Sequence, residues 1–111
     1  MLELSPKQLQ MMERLFEAGF RSVAIPPYEN ALCVRKRECA AVLGPVKNGG
    51  LKILAPPSYV VDGKLSARVR RASRDVFVWK DREVEATPER LRELEIFRRE
   101  LAALLDISLE Q

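Results

Sequence analysis

The sequence contains no histidine. Histidine is the side chain that most often acts as a general base, so its absence excludes Ser-His-Asp and Cys-His catalysis. Glycine-rich phosphate-binding loops are also missing, and the one close glycine pair, Gly49-Gly50, follows Asn48 and is typical of a turn. We therefore expect no catalytic residues and no cofactor, while the composition leaves open a nucleophile activated by a lysine.

Cysteine is scarce, and Cys33 and Cys39 are the only two. Structural zinc sites usually take four cysteine or histidine ligands in closely spaced pairs, and no second pair is present here. We therefore expect no metal site. The two thiols instead indicate a reduced, cytoplasmic protein in which both are small, half-buried residues of strands.

Long apolar runs are missing as well. No stretch approaches the roughly 18 residues of a membrane span, and Glu3 and Lys7 interrupt the apolar residues near the start. We therefore expect no membrane span and no secretory signal. What is present is an ordinary globular composition of 47% apolar and 32% charged residues. At this length it predicts a single domain over residues 1–111.

Both ends of the chain carry helix signals. Residues 5–8, Ser-Pro-Lys-Gln, match a capping box with proline at the first helical position, and Gly19 supplies a left-handed stop. They predict a helix over residues 6–18. Near the other end, the dipeptide Thr87-Pro88 caps and opens a second helix, predicted over residues 88–105.

The second helix carries an apolar stripe at the spacing of a short heptad seam, formed by Leu94, Phe97, Leu101 and Leu104. Fewer than two heptads are too short for a free coiled coil, so we expect the stripe to pack onto a sheet. Self-association through the same four residues is the alternative.

Between the helices, residues 20–86 are short β-like runs separated by turn signals. The order helix, strands, helix argues against alternating βαβ units and predicts an α+β fold. We expect an antiparallel sheet of about five or six short strands, built from hairpins and flanked by the two helices. Asp62-Gly63 is a strong two-residue hairpin signal, and Pro56-Pro57 indicates an edge strand or a break.

Residues 31–43, ALCVRKRECAAVL, predict a hairpin with Lys36-Arg37 at its tip. This register places Arg35 opposite Glu38, where opposite charges are favourable. It also places the two cysteines on opposite faces, where they cannot form a disulfide.

Residues 67–80, ARVRRASRDVFVWK, predict a second hairpin with a three-residue loop at 73–75. In this register Arg68 faces Lys80. A two-residue loop with Arg68 opposite Trp79 would divide the apolar residues between the faces, so burial favours the longer loop. The expected core face carries Ala67, Val69, Phe77 and Trp79, and the expected basic face carries Arg68, Arg70, Lys80 and Arg82.

The positive charge of the chain is concentrated in the strands. Residues 31–86 carry twelve Lys or Arg and six Asp or Glu, a balance of +6, whereas the whole chain balances at +3. The basic face, extended by Lys36 and Arg37 from the neighbouring hairpin tip, is a candidate site for anions or nucleic acid. The competing interpretation is a sheet face covered by long cationic side chains because it meets water. Residues 70–73 also match the short Arg-Arg-x-Ser kinase pattern, a weak signal for phosphorylation of Ser73.

These observations favour a small, non-catalytic, cytoplasmic module that binds another protein or itself. Nonspecific nucleic-acid or anion binding through the basic hairpin face is the alternative. It is the weaker prediction because the chain has only seven aromatic residues, so few aromatic side chains are present on which nucleic-acid bases could stack. No membrane partner is expected.

Overall fold

The structure is a computed structural model, and it describes residues 5–26, 28, 31–46 and 50–105. The described residues form one helix, then eight strands, then a second helix. Helices α1 and α2 span Pro6–Glu17 and Pro88–Leu105. The strands are β1 Arg21–Val23, β2 Leu32–Lys36, β3 Cys39–Pro45, β4 Leu51–Val61, β5 Lys64–Leu65, β6 Ala67–Arg71, β7 Arg74–Trp79 and β8 Arg82–Glu85.

The helix ends are formed by the residues that the sequence indicated. Ser5 Oγ accepts from the Gln8 N–H at 3.2 Å, and Gln8 Oε1 accepts from the Ser5 N–H at 2.8 Å, which completes the capping box. Gly19 has a φ of 100°, which suits a glycine after the helix. At the start of α2, Thr87 Oγ1 accepts from the Arg90 N–H at 3.2 Å. Both predicted helices are confirmed. No helix within the described ranges is long and apolar enough to cross a membrane.

The strands form two antiparallel sheets. The first contains β1 to β5 in sequence order, and the second contains β6, β7 and β8 in sequence order. The predicted α+β fold with a helix at each end is confirmed. The strands in the described ranges exceed the five or six predicted, because the chain leaves the first sheet after β5 and starts another.

Strand β3 is the centre of the five-stranded sheet. Its residues are buried from Cys39 to Gly44, because both faces of the strand are covered. One face packs against α1, α2 and the second sheet in a large core that includes Leu15, Phe20, Phe77 and Leu101. The opposite face packs in a smaller cluster of Ile25, Cys33, Ala40 and Val42.

Strand β4 runs through Pro56 and Pro57 without a break. The register between β3 and β4 shifts at this point, from Val42 opposite Ala55 to Ala40 opposite Ser58. Two prolines thus lie where one residue of β3 would be paired, which is the arrangement of a β-bulge. Strand β5 pairs with β4 only at Val60 and Val61, so the prolines lie on an open edge, as expected for residues that cannot donate. The predicted turn at Gly49 lies outside the described residues.

Four hairpins in the described residues have two-residue loops. The first loop residue in each has a positive φ, between 53° and 56°, at Arg37, Asp62, Ala72 and Lys80. A positive φ at this position matches the twist of the flanking strands but is disfavoured for residues that carry a Cβ. The predicted Asp62-Gly63 hairpin is confirmed.

The predicted register of the β2–β3 hairpin is wrong by one residue at its tip. The loop is Arg37-Glu38, so Lys36 lies opposite Cys39 on the strands rather than at the tip. The physical reason is the environment of Lys36, whose ammonium reaches Glu100 of α2 at 2.9 Å from its place on the strand. The two cysteines still lie in separate core clusters, and they form no disulfide with each other.

The predicted register of the β6–β7 hairpin is also wrong. The loop is Ala72-Ser73 rather than 73–75, so Arg68 faces Phe77 and not Lys80, which belongs to the β7–β8 loop. The expected apolar face does not form, since Ala67 and Val69 lie on the face opposite to Phe77. Burial could not select the register because β6 is an edge strand whose residues are exposed, except for a half-buried valine.

Candidate functional site

A cleft of about 610 Å³ lies between α2, strand β4 of the first sheet, and strands β6 and β7 of the second. Its apolar lining comes from these elements, from β5 and from the segment before β2, and includes Tyr28, Pro56, Leu65, Val78, Trp79, Leu91 and Leu94. Its polar lining consists of Ser58, Ser66, Arg68, Glu95 and Arg98. The cleft forms where the first sheet ends and the second begins.

Two buried serines join the strands beside the cleft. The hydroxyl oxygens of Ser58 and Ser66 lie 3.2 Å apart, and Ser66 Oγ donates to the carbonyl of Tyr59 at 2.6 Å. A serine has one hydroxyl hydrogen, so Ser58 must be the donor between the two serines. The hydrogens of both hydroxyls are therefore used within the protein. Ser58 can still accept a hydrogen bond from a molecule in the cleft.

Trp79 is the largest apolar side chain of the lining, and it is half-buried. The ammonium groups of Lys64 and Lys80 lie 5.9 Å and 5.7 Å from the centre of its ring. Both distances are within the range of a cation–π contact. Lys80, predicted as part of the basic face, thus packs against the tryptophan from a loop.

Arg68 and Arg70 share one carboxylate. Arg68 donates to Asp75 Oδ2 at 2.7 Å and 3.0 Å, and Arg70 donates to Asp75 Oδ1 at 3.4 Å. The hydrogen bonds from Arg68 are the main reason that the pKa of Asp75 lies below its usual value. Two guanidinium groups and one carboxylate leave this cluster with a net charge of +1.

A second cluster of the same composition lies on α2. Glu95 accepts from Arg98 at 2.8 Å and from Arg99 at 2.6 Å, and the hydrogen bonds from Arg98 and then Arg99 lower the pKa of Glu95. This cluster also has a net charge of +1. One arginine of each cluster, Arg68 from the strand and Arg98 from the helix, lines the cleft.

The other predicted basic residues have different surroundings. Arg82 pairs with Asp62 at 3.3 Å. Lys36 is half-buried against α1 and α2, where it donates to the Ala18 carbonyl at 2.7 Å. Arg37 is exposed in the first hairpin loop. The structure thus divides the six residues of the predicted basic face among several sets of partners, and carboxylates accompany four of them.

The predicted seam on α2 lies largely inside the protein. Leu94, Phe97 and Leu101 belong to the large core, and Leu104 packs against it. The rings of Phe97 and Phe20 are 5.3 Å apart between centroids. Leu101 is fully buried, so self-association through these four residues would compete with the core of the chain itself.

The two cysteines are poorly suited to nucleophilic chemistry. Burial, followed by the nearby charges of Glu93 and Glu38, raises the pKa of Cys39 to about 12. A thiol with this pKa stays protonated near neutral pH, and the thiolate is the nucleophilic form. Cys33 is buried as well. The described part of the chain contains no cluster of three His, Cys, Asp or Glu residues that could hold a metal ion.

Sequence reasoning found the arginines of the hairpin but not the cleft beside them. The lining comes from residues as far apart as Tyr28 and Arg98. Its only local signals were the strand prolines and the spacing of Glu95 and Arg98, which alone indicates helix stabilisation. No sequence pattern brought these segments together, because their proximity depends on how the two sheets meet.

Comparisons with protein-family models, with curated proteins and with solved structures found no significant match to this chain.

Proposed function

We propose that this chain is a cytoplasmic, non-catalytic protein-binding module, which receives a segment of a partner protein in the cleft between α2 and the two sheets. The observation that carries the proposal is the cleft itself. Its volume of about 610 Å³ lies within the roughly 300–1,000 Å³ of ligand sites. Its half-buried tryptophan and its arginines are residue types enriched at protein interfaces.

The chemistry of the cleft supports binding rather than catalysis. Ser58 and Ser66 bond to each other and to the backbone, and no imidazole exists to activate either hydroxyl. The carboxylates next to the cleft, Asp75 and Glu95, are held by arginines that keep them ionised and lower their pKa values. A general acid would need the opposite shift. Two cysteines that form no disulfide accord with a reducing compartment.

The buried seam favours a different protein over a second copy as the partner. Leu101 and Phe97 already pack inside the chain, so the most apolar face of α2 is not offered to another molecule. The cleft, in contrast, combines apolar lining with charged residues at positions open to solvent. We therefore assign the interaction to the cleft.

Nucleic-acid binding through the hairpin arginines is the alternative function. The ion pairs weigh against it, because nucleic-acid binding needs a row of phosphate contacts along the hairpin. Arg71 and Arg74, the next arginines in such a row, are each paired with one glutamate, so neither pair carries excess positive charge. The carboxylate of each pair also repels a phosphate, which reduces the gain from the contact. An unpaired row of arginines would have favoured the alternative.

The test is selection from a displayed library of random linear peptides, followed by affinity measurements on two matched variants. Ala67 is exposed and lines the cleft, whereas Ala103 is exposed on α2 and does not. Ala67→Trp would fill the cleft without removing a core side chain. We expect it to weaken binding of the selected peptides by about tenfold or more. Ala103→Trp, with the same added bulk, should leave their affinity unchanged.

Peptides that bind both variants equally well would show that the cleft is not the site, and a library that yields no binder would overturn the proposal. The alternative is tested with a labelled single-stranded oligonucleotide at two salt concentrations. It would be supported if replacing Arg68 and Arg70 by serine reduced the slope of log affinity against log salt by about 1.4.

A further inference from the structure

Strand β6 has an open edge beside the cleft. It pairs with β7 on one side, and Ala67 and Arg68 at its start line the cleft. Because the β6–β7 loop has two residues, Arg71 and Arg74 form a hydrogen-bonded pair, and such pairs alternate along an antiparallel ladder. The backbone N–H and C=O groups of Arg68 and Arg70 therefore point away from β7.

The neighbouring ladder confirms this alternation. The Ala86 N–H donates to the Asp75 carbonyl at 3.0 Å, so Asp75 directs its backbone groups to the β8 side. Its cross-strand neighbour Arg70 consequently has no backbone bond to β7. Among the described residues, the outward groups of Arg68 and Arg70 have no backbone partner. Such an edge is a template for an added strand.

The side chains of β6 determine which strand can be added. Three of its five residues are arginines, so two copies of β6 placed edge to edge would bring like charges opposite each other. This repulsion disfavours a second copy of the same strand as the natural occupant. An acidic strand would replace the repulsion by attraction.

Charge and burial specify the pattern of the added strand. Arg68 and Arg70 lie on one face of β6 and keep a net charge of +1 after pairing with Asp75. Arg98, across the cleft, belongs to the second cluster with an excess charge of +1. The opposite face of β6 carries Ala67, the half-buried Val69 and Arg71, whose charge is balanced by its ion pair with Glu83. A complementary strand therefore places carboxylates on the arginine face and apolar side chains on the other.

We infer that the partner supplies an extended segment of alternating acidic and apolar residues. Its backbone pairs with Arg68 and Arg70 at the open edge of β6, and its carboxylates reach Arg68 and Arg98. The inference rests on the proposed function, since it names the partner of the same cleft. The guanidinium groups retain donors for this purpose, because each has five N–H groups and Arg68 makes only two bonds to Asp75.

The probe is a capped peptide of about eight residues in which glutamate alternates with valine, long enough to cover the edge of β6. Two further versions carry N-methyl groups, one on every glutamate amide and the other on every valine amide. In an added strand only one of these sets faces β6. We expect one methylated version to lose about tenfold or more in affinity and the other to bind like the parent.

Charge is tested with a peptide of alternating glutamine and valine and with three protein variants. Arg68→Gln and Arg98→Gln should each reduce the affinity for the glutamate peptide by about tenfold. The glutamine peptide should bind weakly from the outset, and neither substitution should change its affinity. Arg92→Gln is the matched control, because Arg92 is exposed on α2 and does not line the cleft. It should change neither affinity. Circular dichroism checks that each variant is folded.

Equal binding of the two methylated peptides would overturn strand addition. Equal binding of the glutamate peptide and of a peptide in which lysine alternates with valine would overturn the acidic preference. Absence of binding by the glutamate peptide would also overturn the inference. The proposed function would still stand if library-selected peptides lost affinity in Ala67→Trp, so the two failures are distinguishable. An oligonucleotide that binds more tightly than the peptide and depends on both Arg68 and Arg98 would assign the cleft to nucleic acid and overturn the inference.

Discussion

The two sheets differ in what holds their strands in register. In the five-stranded sheet, β3 is buried from Cys39 to Gly44, and a slip of one residue would exchange its two packed faces. In the three-stranded sheet, β6 is exposed except at Val69, so a slip would cost little burial. Burial therefore fixes the first sheet, whereas loop geometry and backbone pairing fix the register of β6 on β7.

Ion pairs across the second sheet add little to its register. Arg71 pairs with Glu83 at 3.0 Å and Arg74 pairs with Glu85 at 3.7 Å, and all four side chains are exposed. Pairs of this kind typically contribute about 0–1 kcal/mol. Within the second sheet, β6 buries the least side-chain surface, and its first residues line the cleft. This exposed strand is the one to which we propose that the partner strand is added.

The largest expected difference between the sheets is in truncation of apolar side chains. Leu43 of β3 is fully buried in the large core, so Leu43→Ala should reduce the free energy of unfolding by about 2–5 kcal/mol. Val69→Ala on β6 removes a half-buried side chain and should cost less than about 1 kcal/mol. Urea denaturation of both variants measures the two losses.

A loss at Val69 equal to that at Leu43 would contradict this comparison. It would mean that the outer face of β6 is covered in the folded protein. The urea dependence of the unfolding free energy should stay the same in both variants, so that the difference reports stability rather than a change in the unfolded state.

The next difference concerns ion pairs. The Lys36 ammonium donates to Glu100 and to the Ala18 carbonyl, and it lies 5.3 Å from the centre of the Phe20 ring. Lys36→Met keeps the stem but leaves two acceptors without their donor, so we expect a loss of about 1–3 kcal/mol. Arg71→Met, which breaks the exposed pair with Glu83, should cost less than about 1 kcal/mol.

A double variant sharpens the test. In Lys36→Met the Glu100 carboxylate has lost its donor, and adding Glu100→Gln removes that unpaired charge. The losses of unfolding free energy in the two single variants should therefore sum to more than the loss in the double variant. Strict additivity, measured by the same denaturation experiment, would mean that Lys36 acts through its apolar stem alone.

The limits of sequence prediction follow from the same contrast. The capping box at Ser5 and the turn at Asp62-Gly63 were predictable, because local hydrogen bonds and backbone preferences determine them. The loops beginning at Arg37 and Ala72 were not, because neither residue carries a turn signal. Burial selected a wrong register for residues 67–80, since it was applied to a strand with almost nothing to bury.

The cleft was beyond prediction for a different reason. Phe77 enters the core and stacks on Tyr59 at 5.0 Å, yet it lies on the same face of the second sheet as Arg68. A pattern that assigns each face to core or solvent cannot describe a face that begins buried and ends exposed. Arg68, which lines the cleft, lies where that change occurs.

The smallest expected effect concerns the loops that set the register of the second sheet. Ala72 has a φ of 53°, which costs an L-residue about 1–2 kcal/mol relative to glycine, while glycine loses more entropy on folding. Ala72→Gly should therefore stabilise the protein by about 0.5–1 kcal/mol. Gly63, with a φ of 73° and no atom within 4 Å of an added Cβ, provides the reverse change. Gly63→Ala should destabilise by a similar amount through the backbone alone. Urea denaturation measures both changes. A loss of stability in Ala72→Gly would show that Ala72 does not adopt the left-handed conformation in the β6–β7 loop. Some other feature would then have to fix the register of the second sheet.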